Sequence, residues 1–168
     1  MPDTGFHPLV ERFRLLDDGL VPNNATLPLT VYRTVFVAAG ANAEQIIEAH
    51  FARNNWSNAW VNGIYDFQHY HATAHEVLGM ARGWADVQFG GANGPVLHIF
   101  AGDAVLIPAG VAHCRIASSH DLSVVGAYPG GTDYDLCRAT AAERTNALPR
   151  IANVAKPSQD PVTGAAME

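Results

Sequence analysis

Residues 63–76 of the chain read GIYDFQHYHATAHE. Alternate residues of a β-strand point to the same face, so His69 and His71 project together while Tyr70 points to the opposite side. A short loop then leads to Glu76, at the head of the next apolar segment. Imidazole and carboxylate groups are metal ligands, and the spacing brings three of them to one place.

The following segment predicts a hairpin with a carboxylate on its apolar face. Residues 76–89 read EVLGMARGWADVQF, and a two-residue turn at Arg82-Gly83 would pair Ala81 with Trp84. A carboxylate on an apolar face is costly unless it is paired or bound to metal, so Glu76 is expected to share the inner face with the histidines. In that register the inner face carries Glu76, Leu78, Met80, Ala85, Val87 and Phe89, and the more polar outer face carries Val77, Gly79, Trp84, Asp86 and Gln88.

A second stretch supplies a fourth side chain of the same kind. Residues 102–113 read GDAVLIPAGVAH, in which a strand ends at Pro108 and a tight turn follows at Ala109-Gly110. The next strand starts with His113.

Together the two stretches resemble the motifs of the cupin superfamily, and the wider chain is similar to the small YjlB-like bacterial cupins. The first pattern, G-x5-H-x-H-x4-E-x6-G, is matched by Gly63, His69, His71, Glu76 and Gly83. The second, G-x5-P-x-G-x2-H, is matched by Gly102, Pro108, Gly110 and His113.

This resemblance implies an all-β fold with minor helices: a cupin-type β-barrel, or double-stranded β-helix (jelly roll), with an N-terminal strand-helix extension. It also implies one divalent metal ion, Fe, Mn, Ni or Zn, bound by His69, His71, Glu76 and His113, and a homodimer. The second motif often continues as H-x3-N, but this chain has Ala117 at that position. Oxalate-type chemistry is therefore not carried over.

His75 is an alternative to Glu76 as the ligand from this loop. Adjacent strand residues point to opposite faces, so only one of the two faces the metal, and Glu76 is favoured. His75 is then expected on the outer face or at the mouth of the strand, as a hydrogen-bond donor behind the ligands.

The parity of the two histidines extends backwards to aromatic residues. Tyr65 and Phe67 are predicted on the inner face as pocket-wall residues, together with Phe89, although ordinary core packing is an equal alternative. Tyr65 is also the one candidate for a catalytic side chain beyond the ligands. A pocket built from these residues would be mostly apolar.

The chain length of 168 residues predicts one domain over 1–148, with a barrel core at about 59–128. The extension 1–58 contains an amphipathic segment at 9–16, a strand at 29–37 and a helix from Asn42 to about residue 54. The end, 149–168, has three prolines and is predicted to be an extended or frayed tail.

The charge of −6, from 10 basic and 16 acidic residues without a basic cluster, excludes nucleic-acid and anionic-membrane partners. The chain has no apolar run of about 18 residues, and its start lacks the pattern of a secretory signal. Its two cysteines form neither a disulfide scaffold nor a zinc motif, so a cytoplasmic location is expected.

Four ligands leave about two open positions on an octahedral ion. We therefore expect a metal-dependent enzyme, with dioxygenase-like chemistry on a small oxygen-rich molecule. The alternative is a module that binds or senses a small ligand without turnover. A metal-free isomerase fits poorly, because it would not need all four ligands.

Overall fold

The structure is a computed structural model that describes residues 8–37 and 40–167. Residues 1–7, whose sequence lacks the pattern of a secretory signal, lie outside the described part of the chain. In chain order the described elements are β1 (Leu9–Phe13), β2 (Leu29–Arg33), α1 (Ala43–Arg53), β3 (Trp56–Asn62), β4 (His69–Tyr70), β5 (Glu76–Arg82), β6 (Trp84–Phe89), β7 (Val96–Phe100), β8 (Ala104–Ile107), β9 (His113–Ser118), β10 (Ser123–Pro129), β11 (Cys137–Arg138) and α2 (Ala141–Ala152).

The strands form two antiparallel sheets. One has six strands in the order β1-β2-β8-β5-β10-β3, and the other has five in the order β11-β4-β9-β6-β7. Strands that follow one another in the chain repeatedly lie in different sheets, so the chain winds around a common interior, as a jelly roll does. The predicted cupin-type fold is confirmed.

The main core lies between the sheets, and the outer face of each sheet has its own cover. Leu78 and Met80 of β5 meet Val87 and Phe89 of β6 inside, which is the predicted inner face. Val77 points the other way, into a second cluster beneath α1. Helix α1 approaches β5 so closely that a Cβ on Gly79 would clash with Ile47 and Phe51. A third cluster, behind the five-stranded sheet, includes Tyr70 and Ala147 of α2.

The predicted hairpin between β5 and β6 is wrong. β5 pairs with β8 and β10, whereas β6 pairs with β7 and β9 in the other sheet. Gly83, with φ of +71°, occupies the corner where the chain passes from one sheet to the other. The predicted faces nevertheless hold, because the inner sides of the two sheets look at each other across the core.

The predictions outside the barrel are met in part. Helix α1 runs from Ala43 to Arg53, close to the expected bounds, although Asn42 makes no side-chain cap bond. The amphipathic segment becomes strand β1, and β2 ends at Arg33, four residues earlier than expected. The described helices have 11 and 12 residues, and neither is long and apolar enough to cross a membrane.

The chain end is ordered rather than frayed. Helix α2 covers Ala141–Ala152, and residues 159–162 pack against the six-stranded sheet and α1. Tyr32 donates a hydrogen bond to Asp160 at 2.5 Å, and Trp56 donates one to the Gln159 carbonyl at 2.9 Å. Partners distant in sequence hold this segment, and its own composition does not reveal them.

Candidate metal centre

Three buried histidines meet at one end of the interior. His69 and His113 are direct cross-strand partners on β4 and β9, with ring centroids 4.0 Å apart. His71 follows one residue after β4. One ring nitrogen from each histidine lies within 4.8 Å of the others, so the three could hold a metal ion.

Backbone carbonyls fix the orientation of all three rings. Each Nδ1 faces a carbonyl oxygen, so the proton belongs on Nδ1 and the Nε2 lone pair is left for a metal ion, an arrangement that metal-binding histidines favour. The acceptors are the carbonyls of Phe67 for His69 (2.9 Å), Asp135 for His71 and Val111 for His113 (3.2 Å).

A carboxylate from the facing sheet completes the cluster. Glu76, only 2% exposed, begins β5. Its Oε2 lies 3.3 Å from Nε2 of His71, and its Oε1 lies 3.4 Å from Nε2 of His113. The Tyr128 hydroxyl donates to Oε2 at 2.7 Å and itself accepts from Trp60 Nε1 at 2.7 Å. The carboxylate is therefore held by a hydrogen-bond chain of two neighbouring side chains, Tyr128 and Trp60.

Burial and the mutual charges of these groups set the protonation states at the site. Burial alone would lower the pKa of His71, but the neighbouring Glu76 outweighs it and raises that pKa. Burial lowers the pKa of His69 to about 3, so this ring is neutral at physiological pH. Burial alone would raise the pKa of Glu76, but the neighbouring His71 and His113 outweigh it and the pKa falls below its usual value. Burial, together with the Glu76 charge, raises the pKa of Tyr128, so its hydroxyl remains a donor.

The turn of the second motif is tied to the loop of the first. The Gly110 N–H donates to the His71 carbonyl at 2.8 Å. Gly110 has φ of +89°, and a Cβ there would clash with the Asn23 carbonyl. The conformation and the space at this position both require glycine, which explains the fixed glycine of the motif.

His75 lies outside the cluster, and both of its ring nitrogens make hydrogen bonds to the backbone. Its Nδ1 accepts from the Ala109 N–H at 2.9 Å, and its Nε2 donates to the Ala155 carbonyl at 3.1 Å. Burial lowers the pKa of His75, in keeping with a neutral ring that uses both nitrogens. It connects the motif turn to the segment after α2.

The cluster forms the floor of a cavity of about 700 Å³. Tyr65 lines it but is 55% exposed at the mouth. Phe67 stacks on Tyr65 at 4.8 Å, beneath the guanidinium of Arg138, and does not line the cavity. Phe89 is buried core, 6.4 Å from the His113 ring. Of the three predicted pocket-wall residues, the structure places Tyr65 on the wall.

The cavity is also less apolar than expected, because one side of its rim is polar. The polar rim residues are Asn62, Arg115, Ser118, Ser119 and His120. The rest of the lining includes Trp60, Tyr128 and Tyr134, with Tyr134 stacked on Tyr128 at 4.2 Å and edge-on to His71 at 5.2 Å.

Sequence reasoning missed most of these lining residues. Parity could have found two of them: Tyr128 lies four residues after the inward Val124, and Arg115 lies two after His113. No local signal identifies Tyr134 or Asp135, which lie in an irregular segment before β11.

Comparison with known proteins gives a relative for nearly the whole chain. The chain is 43% identical over 148 residues to Uncharacterized protein YjlB of Bacillus subtilis (strain 168), covering 88% of this chain and 87% of that one. No protein-family model matches it.

Among solved structures, Brassica napus procruciferin, an 11S globulin, aligns with a TM-score of 0.39 and 21% identity over 49% of this chain and only 20% of that one. Bacillus anthracis acireductone dioxygenase aligns at 0.38 and 18% over 54% and 60%. The fold assignment rests on the sheet order and not on these scores. By fold and motifs the chain is a cupin, and by its near full-length identity it belongs to the family of Bacillus subtilis YjlB.

Proposed function

We propose that the protein is a metal-dependent enzyme that acts on a small oxygen-rich molecule, with His69, His71, Glu76 and His113 as the ligands of one divalent ion. One observation carries the proposal: three imidazoles with their Nδ1 atoms engaged and a buried, ionised carboxylate converge on the floor of a solvent-connected cavity. Imidazole nitrogen with one carboxylate suits Fe, Mn, Ni or Zn.

Such an ion supplies Lewis acidity and, if it is redox-active, electron transfer to oxygen. The protein's own groups prepare the site. The carbonyls behind the rings fix their orientation, and Tyr128 holds Glu76 in its ionised form. Four protein ligands leave about two positions of an octahedral ion for substrate or oxygen. This open side supports a dioxygenase-like oxidoreductase as the reaction class.

Elemental analysis of protein purified without a metal-affinity tag or chelator tests the proposal. We expect about one Fe, Mn, Ni or Zn per chain and much less in Glu76→Gln. With Fe, Mn or Ni we expect oxygen uptake with diketones, phenols or hydroxy acids, whereas Zn would favour Lewis-acid chemistry or a structural role over the dioxygenase-like reaction. His98→Ala is the matched control, because His98 lies outside the cavity, paired with Asp86 at 2.7 Å. Absence of metal, before and after reconstitution, would refute the metal site.

A binding or sensing module is the second candidate, and the lining of the cavity favours it in one respect. Among the described lining residues, Glu76 is the sole carboxylate and lysine is absent, so apart from the ligands the candidates for a general base are His120 at the rim and the tyrosines. Ligand binding by the metal-loaded protein, without any turnover across the substrate screen, would support this candidate.

The proposal includes the predicted homodimer and cytoplasmic location. Size-exclusion chromatography with light scattering tests the first, and fractionation of the native host tests the second.

A further inference from the structure

The polar side of the rim has no role in holding a metal ion. It is formed by β9, by the turn after it and by Asn62 at the end of β3. Arg115 is the one arginine or lysine among the described residues that line the cavity.

The backbone directs Arg115 to the inside. It lies two residues after His113 on β9, and alternate residues share a face. The pairing of β6 with β9 then shifts at Ile116, a bulge that leaves Ile116 exposed. Bulges often re-aim side chains beside functional sites.

The side chain is anchored yet keeps most of its donors. Arg115 Nε donates to the Ile64 carbonyl at 3.0 Å, and its backbone N–H donates to the Tyr65 carbonyl at 2.9 Å. The two terminal amino groups remain, and a guanidinium offers them as a planar fork for carboxylate. Within the described residues no carboxylate forms an ion pair with Arg115, whereas the paired arginines are Arg33, Arg82, Arg144 and Arg150 and the other arginines lie outside the cavity.

The charge of the cavity also favours an anionic ligand. Glu76 is the sole acidic group among the described lining residues, and its oxygens face His71, His113 and Tyr128. A divalent ion held on the floor would, together with Arg115 at the rim, outweigh Glu76 and give the cavity a net positive charge. A positively charged cleft attracts anions.

We propose that the cavity binds a small carboxylic acid, with its carboxylate on Arg115 and its apolar body against Trp60 and Tyr134. This inference deepens the proposed function and rests on it for the ion on the floor, but the anion subsite is built from protein groups alone. A cavity of about 700 Å³ lies within the usual range for small-molecule sites.

The test compares benzoate with benzamide, two probes of nearly equal shape that differ in charge. Calorimetric titration of the metal-loaded protein should show benzoate binding at least about tenfold more tightly, as expected for hydrogen bonds to a charged group. The preference should fall to near unity in Arg115→Gln and persist in part in Arg115→Lys. Arg53→Gln is the control, since Arg53 lies on α1 and contacts His50.

Two results would overturn the proposal: equal binding of the two probes by the wild type, or an unchanged preference in a folded Arg115→Gln. The first needs no variant, so a misfolded variant leaves the test valid. Titration of chelator-treated protein separates this proposal from the proposed function. A benzoate preference that depends on Arg115 and survives there supports the subsite even if elemental analysis finds no metal. Stoichiometric metal without the preference refutes only the subsite.

Discussion

The side chains on the floor of the cavity are held more firmly than those at its rim. On the floor, His69, His71 and Glu76 have protein partners that fix their geometry, and all are buried. At the rim, Tyr65 is more than half exposed and Arg115 keeps donors for a ligand. The floor therefore holds its groups in a fixed geometry that could bind a metal ion, whereas the rim side chains are held less tightly. This difference predicts separable effects of substitutions.

The largest effect should follow the loss of a floor imidazole. His71→Ala removes one of the converging nitrogens and leaves Glu76 without the neighbour 3.3 Å from its Oε2. We expect stoichiometric metal to be lost, measured by elemental analysis, with His98→Ala as control. Full metal occupancy in a folded His71→Ala protein would exclude His71 as a ligand.

The next largest effect on metal binding should follow the loss of the hydrogen bond from Tyr128 to Glu76. Tyr128→Phe removes the donor to Glu76 and leaves Trp60 Nε1 without its acceptor. Loss of partners behind metal ligands typically weakens metal binding about 10–100-fold. Competition with a chelator of known affinity measures this change. An unchanged affinity would mean that Tyr128 does not position the carboxylate.

The comparison also explains what the sequence could predict. Strand parity brings His69, His71 and Glu76 together, and the resemblance to the cupin motifs adds His113, so the four could be proposed as one set from the sequence. The partner of β5 could not be found this way: a turn at Gly83 is compatible with a hairpin and with a corner between sheets, and only long-range packing decides. Tyr134 comes from an irregular segment without periodicity.

A third prediction distinguishes His75 from Glu76, the two adjacent residues that the sequence offers as ligands. His75→Ala removes a buried ring and leaves its two partners, the Ala109 N–H and the Ala155 carbonyl, unsatisfied. We expect a loss of about 1–3 kcal/mol in the free energy of unfolding, with metal content nearly intact. Denaturant unfolding and elemental analysis measure the two quantities. Metal lost in His75→Ala but retained in Glu76→Ala would reverse the assignment of ligands.

The smallest effect is expected at the rim. Tyr65 is 55% exposed, and its ring contacts Phe67 and the edge of His69. Because little of its surface is buried, Tyr65→Ala should change the free energy of unfolding by about 0.5 kcal/mol and leave metal content unchanged. Turnover then decides its role: a catalytic hydroxyl predicts that Tyr65→Phe loses turnover, whereas a wall residue predicts that Tyr65→Phe keeps it and Tyr65→Ala weakens ligand binding. Metal loss in Tyr65→Ala would break the separation of floor and rim, because it would show that the edge contact with His69 helps to hold the ligand ring.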